Sequence, residues 1–384
     1  MARLARTEVF APEEVAVVHV MNRVVRRCFL LGEDPFTGEN YDHRKLWIED
    51  LLKRFSACFG IDLLGFAILS NHFHLILRSR PDVVTTWTDE EVARRWLMLC
   101  PYRKTSDRLP AEPTPAEIDT IQNNPAKLAA VRSRLSDIGW WMRLLCQQVA
   151  TRANRDDKEV GKFWQSRYRA VRLLDEQALL ACAAYVDLNP IRAAMAESLE
   201  TSDFTSVQRR IQAIKTQARP ARPTSGRAAS SSPAKSTGLS RPAETSTVDA
   251  PASVPDGFLA PVSLEERTGQ TGPVPNKTGL RCSDKGFLPL TLPDYLTLLD
   301  WTARQAASGK RGRTPQTLTP LFERLSLDPE TWCQLVSSFG RLFYNVAGLP
   351  GTIESTTSRL TAKRYYIPSA ARTLLTKAEP SSPA

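Results

Sequence analysis

His72 and His74 stand one residue apart in the apolar run LSNHFHLIL (69–77), in a chain with only four histidines. In an extended strand residues i and i+2 point to one face, so both imidazoles project together and Phe73 turns to the other side. Two imidazoles side by side on a rigid strand make a pair of metal ligands. A hydrogen-bonded or edge-exposed pair is the alternative that HxH by itself leaves open. A second group lies in AAYVDLNPIRAA, where Tyr185 and Asn189 are four apart and share a helical face. Pro190 pushes Asn189 out of helical angles, towards a helix end. There its amide oxygen could complete a metal site with a phenol beside it. Equally, the two are a tyrosine packed on a sheet and an asparagine terminating a helix.

The elements that would position these groups follow from periodicity. Val15–Met21 (VAVVHVM) is strand-like and runs into a basic end at Arg23–Arg27, and Lys45–Phe59 has helical spacing. Ile61–Ser70 and His72–Leu77 are two apolar runs that meet at Ser70-Asn71, a hairpin. The polar, Pro-rich stretch 81–135 reads as an insertion carrying one short helix near Asp89–Leu99. Ile138–Ala153 is a helix with Trp141, Leu144, Leu145 and Val149 on one stripe. KFWQSRYRAVRLL follows as a basic, aromatic strand, in which Arg167, Arg169 and Arg172 suit phosphates and Phe163 and Trp164 suit a core. Asp175 caps a helix that runs to about Leu188. His19 could lie near the site, though a structural histidine is the plainer reading.

Composition divides the chain into a unit over 1–215, a flexible Pro/Ser/Thr/Ala-rich linker over 216–280 and a mainly helical extension over 281–384. In the extension, 292–306 is one helix. Asp328-Pro329 opens a second, with Trp332, Leu335, Val336, Phe339, Phe343 and Val346 on one face and Gly348 at its end. Two short basic clusters, Gly309–Arg313 and Lys363–Tyr366, read as solvated surface. A net charge of +10 favours a polyanionic partner, nucleic acid ahead of a membrane surface. The seven cysteines form no CxxC, which argues against zinc knuckles and disulfide frameworks. With no signal-peptide core at the N-terminus and no apolar run of the ~20 residues a bilayer needs, the expected location is the cytoplasm.

Together these motifs resemble the single-tyrosine HUH transposases, and within them the REP-associated tyrosine transposase branch. His72-Phe73-His74 matches the family's histidine–bulky–histidine strand, and Tyr185-Val186-Asp187-Leu188-Asn189-Pro190-Ile191-Arg192-Ala193 its catalytic helix. Trp164-Gln165-Ser166-Arg167-Tyr168 and His19-Val20-Met21-Asn22-Arg23 match two further stretches, all in the family's order over about 14–200. The chain departs from the family in its longer insertion, in Ala194-Met195-Ala196 after Arg-Ala, and in everything beyond the catalytic unit.

The resemblance implies an α+β fold, an antiparallel sheet flanked by helices (a ferredoxin-like palm). It implies a metal-dependent endonuclease and strand transferase acting on single-stranded hairpin or repeat DNA. Tyr185 would be the nucleophile, forming a 5′-phosphotyrosine. His72, His74 and Asn189 would hold Mg²⁺ or Mn²⁺, and Arg23, Arg167, Arg169 and Arg172 would contact DNA. Monomer and homodimer both stay open. A catalytically idle DNA-binding or regulatory protein with the same fold is the alternative, and a zinc hydrolase using water is a third.

Overall fold

The computed structural model describes residues 13–218, 254–264, 272–306, 314–325, 327–359, 365 and 368–376. Its centre is a sheet whose strands are β1 (Val17–Arg23), β2 (Ile61–Ile68), β3 (His72–Ser79), β4 (Arg169–Leu173) and β5 (Val346–Ala347), in the order β2-β3-β1-β4-β5. The first four pair antiparallel; β5 joins β4 in parallel. Helices α1 (His43–Cys58) and α6 (Ile138–Asp156) form the crossovers β1-α1-β2 and β3-α6-β4. With the strand order, this is the split β-α-β arrangement. Between β3 and α6 lie α2 (Pro81–Val84), α3 (Asp89–Leu99), α4 (Pro115–Gln122) and α5 (Pro125–Leu135). After β4 come α7 (Glu176–Asp187), α8 (Asn189–Arg192), α9 (Ser206–Gln217), α10 (Leu292–Ala306), α11 (Thr319–Arg324), α12 (Pro329–Leu342), α13 (Pro350–Arg359) and α14 (Ser369–Thr376).

Strand alternation assigns each face of the sheet to its own core. Val18, Val20, Phe73, Leu75 and Leu77 join Phe55 of α1 and Trp141 of α6 in one cluster. Ile76, Val171 and Leu173 join Ala181 and Ala184 of α7 and Trp332 and Phe339 of α12 in the other. Every residue of β2 is buried, as a strand covered on both faces must be. Phe73 is fully buried, worth about 2–3 kcal/mol in transfer alone, and this fixes the facing of its two histidine neighbours.

The insertion 81–135 carries four helices where one was expected. Pro115 and Pro125 sit in first turns, where proline costs nothing, and Thr114 with Glu117 completes a capping box. These prolines start helices; they do not break them. Asp175 caps α7 as expected, its carboxylate accepting from Ala178 N at 2.9 Å. Its other oxygen accepts from Leu349 N at 2.6 Å, tying the C-terminal region to the start of α7.

That region departs from expectation at two points. Helix α12 ends at Leu342, and Val346 belongs to β5. Arg172 N donates to Asn345 O at 2.9 Å and Leu174 N to Ala347 O at 3.0 Å, so the β4 edge takes up backbone that helical continuation would have used. Gly348 therefore terminates no helix; a Cβ there would lie 2.8 Å from Asp175 Oδ2. The described parts of the expected linker are packed. Phe258 sits in the core against Phe66, and Ala260 N donates to Leu63 O at 2.9 Å. Asp62, fully buried, accepts from Arg78, Arg80 and Ser283, which pins 283–286 onto β2 and β3. Residues 219–253, Gly309–Arg313 and all of Lys363–Tyr366 but Tyr365 lie outside the described residues. Among the described residues no helix is long and apolar enough to cross a membrane.

Candidate active site

The register across the central strands builds the site. Met21 pairs with His74 and Arg23 with His72 across β1 and β3, and Met21 pairs with Arg169 across β1 and β4. By strand alternation His19, Arg23, His72, His74 and Arg169 then share the sheet face that α7 covers. Phe73 points the other way, its ring 5.4 Å from that of Trp164. On α7, Tyr185 comes to 5.4 Å from the His74 ring. Leu188 closes α7 and Asn189 begins α8, so Asn189 stands at a helix boundary as expected but within a helical turn, not pushed out of it by Pro190. Asn189 Nδ2 lies 3.3 Å from His74 Nε2.

With the Asn189 amide nitrogen facing His74 Nε2 at 3.3 Å, His74 Nε2 accepts and its Nδ1–H donates to His19 Nε2, 2.9 Å away; the flipped amide reverses the first of these roles. The His72 Nδ1–H is donated to Asn71 Oδ1 at 2.7 Å. Both residues of the HxH pair thus have Nδ1 held by a partner and Nε2 basic. That is how metal-binding histidines are oriented. Burial, then Arg169, pushes His19 down to about 3. Burial, then Arg23, pushes His72 down to about 4. His74 is lowered well below its ordinary value, by burial first and then by His72, His19, Arg23 and Arg169. All three imidazoles are neutral at pH 7. Among the described residues no three His, Cys, Asp or Glu side chains form a metal-holding group. Two imidazoles are ligands that suit a divalent cation, and Asn189 is the amide beside them whose oxygen, after a flip, would supply a third.

Tyr185 is covered from the far side by α12. Its ring stacks on Phe339 with centroids 5.7 Å apart, and the Arg192 guanidinium lies 5.3 Å over it. Burial raises its phenol above the ordinary value, while Arg192, the Asn189 hydrogen bond and Arg169 act in the opposite direction.

Beside Tyr185 and His74 a cleft of about 280 Å³ opens, lined on the sheet side by Arg23 and Arg169 and on the other by Arg192 and Arg341. Arg167 is exposed in the connection before β4 and does not line it. Arg172 points elsewhere and is held by both oxygens of Glu14, at 2.7 and 2.9 Å. His19, for which the structural role is the favoured of two readings in sequence, contacts His74 directly, with Nε2 2.9 Å from His74 Nδ1. Its register on β1 opposite β3 carries the signal, but only once the pairing is known. Arg192 was legible as the residue one turn beyond Asn189; nothing in the sequence ties Phe339, Gly340 or Arg341 to Tyr185.

No protein-family model matches the chain, and no curated protein does. Among solved structures, the chain is similar to a REP-associated tyrosine transposase bound to a REP hairpin at 11% identity, over 57% of this chain and 89% of that one, with a TM-score of 0.32. A score that low carries no argument about fold or chemistry.

Proposed function

We propose that the chain is a metal-dependent single-stranded DNA endonuclease and strand transferase, with Tyr185 as its nucleophile. The observation that carries this reading is the convergence of His74, Asn189 and Tyr185. Residues 115 positions apart in sequence meet at 3.3 Å, with the phenol ring 5.4 Å from the imidazole. A divalent cation held by His72, His74 and Asn189 would supply charge neutralisation and orientation of the scissile phosphate. Around it, the residues of the chain have separate tasks. His19 and Asn71 fix the imidazole tautomers. Asn189 and Arg192 favour phenolate at Tyr185 against the cost of burial, which adds to the roughly 4 kcal/mol of ionising an ordinary tyrosine at pH 7. The phenolate oxygen attacks phosphorus, and the bond from phosphorus to the 3′ oxygen breaks. The phenol proton ends, through solvent, on the departing 3′-OH, leaving a 5′-phosphotyrosine. Because phenolate is a good leaving group, a 3′-OH can later attack the same phosphorus and rejoin strands.

One observation favours a second reading, a DNA-binding protein that keeps the fold without cutting. Tyr185 is stacked on Phe339, and its hydroxyl abuts the backbone at Gly340. A single experiment separates the two readings. Wild-type protein with Mn²⁺ and a panel of single-stranded hairpin oligonucleotides is expected to give an adduct that survives denaturing electrophoresis, and Tyr185→Phe is expected to give none. Absence of the adduct across the panel sinks the nuclease reading. Cleavage retained in Tyr185→Phe would point instead to a water nucleophile.

A further inference from the structure

Many arginines elsewhere among the described residues are paired with acids, although Arg54 and Arg210, for example, are not. Arg172 is bound to Glu14, Arg209 to Glu49, Arg132 to Asp89 and Arg324 to Glu176. The four that line the cleft over Tyr185 differ. Among the described residues none of Arg23, Arg169, Arg192 and Arg341 makes an ion pair with a carboxylate, and no Asp or Glu lines the cleft. Their hydrogen bonds are few and neutral. Arg169 reaches Phe343 O at 3.3 Å, Arg192 reaches Ser337 O, and Arg341 reaches Ser338 Oγ at 3.3 Å. Arg23 Nε is buried with no partner at all. A guanidinium has five N–H donors, so most of the donors in this cleft are uncommitted. Four like charges facing one concavity repel one another, and an anion between them relieves that cost. One phosphodiester carries a single negative charge, so the cleft suits successive phosphates of a strand.

Two of the four charges come from beyond the sheet, and Arg341 comes from α12. We propose that α12 is the far wall of a phosphate-binding cleft, with Arg341 and Arg192 gripping the strand opposite Arg23 and Arg169. This makes the C-terminal region part of the nucleic-acid grip, and it rests on the nuclease reading for the identity of the polyanion. Arg341, on the last turn of α12, is exposed and can reach a ligand without repacking the core.

The test is fluorescence anisotropy with a labelled single-stranded hairpin oligonucleotide, in EDTA so that binding is read without cleavage, over a salt series. Arg341→Ala and Arg192→Ala are each expected to weaken binding by about three- to tenfold and to lower the salt slope by about one phosphate contact. Arg341→Lys should keep the slope. Arg304→Ala, on α10 and paired with Asp300, should bind as wild type. Thermal melts confirm that each variant is folded. If Arg341→Ala keeps wild-type affinity and slope while Arg23→Ala and Arg169→Ala weaken binding, α12 is no part of the grip and the inference is overturned, with the nuclease reading untouched. Arg341-dependent binding without any Mn²⁺-dependent adduct overturns the nuclease reading and leaves the cleft standing.

Discussion

The Tyr185 hydroxyl rests against the Gly340 backbone so closely that a Cβ built on Gly340 would lie 2.8 Å from its oxygen and 3.3 Å from Cζ. The closeness comes from α12 packing directly on α7, and it sets a steric demand on residue 340 that helix propensity alone would not. Gly340→Ala should therefore destabilise the protein by about 1–2 kcal/mol through overpacking, although alanine is the better helix former. In a Tyr185→Phe background the same change should cost less, because the clashing oxygen is gone. Thermal or urea melts of the four proteins give the coupling. Additive costs would show that the two residues do not touch in solution.

At the proposed metal site His19 would act on a bound cation only through His74, whose Nδ1 it meets at 2.9 Å. His19→Ala is expected to weaken Mn²⁺ binding by about 10–100-fold, the usual range for removing a histidine's outer partner. Calorimetric titration reads this without any turnover. Adduct formation in the variant should recover as Mn²⁺ is raised; unaltered Mn²⁺ affinity would show that His19 is merely packed.

Asp175 serves two backbone donors, Ala178 N on α7 and Leu349 N before α13. Asp175→Ala removes a cap and leaves a second N–H without its acceptor, a loss of about 2 kcal/mol. Asp175→Asn should recover part of it. A melt of Asp175→Ala that matches wild type would rule out the double role.

Glu49 on α1 is nearly buried and paired with Arg209 of α9 and Lys53. Burial alone would raise its carboxyl, but Arg209 and Lys53 outweigh burial and hold it below the ordinary 4.5. A depressed folded value gives stability that is complete above the unfolded value and lost as pH falls through the folded one. Glu49→Gln should thus cost about 3 kcal/mol at pH 7, where it strands a partly buried arginine, and progressively less below about pH 4. A cost independent of pH would mean that shape, and not charge, is what Glu49 contributes.

The histidine strand, the hairpin before it, the long helix at Ile138 and both aspartate caps were legible because each is a local pattern: alternation, an apolar stripe, a side chain three residues from the amide it accepts. The phase of HxH, with Phe73 turned away, follows from strand geometry alone and stands as read. What stayed hidden depends on distant partners. Val346 extends an apolar helical stripe in sequence, but the open β4 edge draws it into a strand. Pro115 and Pro125 look like breaks until their places in first turns are known. Arg172 looked like its neighbour Arg169, yet strand alternation sends it to Glu14. Arg341 entered no reading of the sequence, since only the packing of α12 on α7 brings it near Tyr185.

Strand β5 is two residues long, yet it is what occupies the outer edge of β4. A chain cut anywhere before Val346 would leave Arg172 N and Leu174 N presenting bare donors along that edge, a surface that invites pairing with other molecules. During synthesis the same edge stays bare until Val346 and Ala347 have emerged, so the residues before them are most exposed to aggregation while they wait for β5.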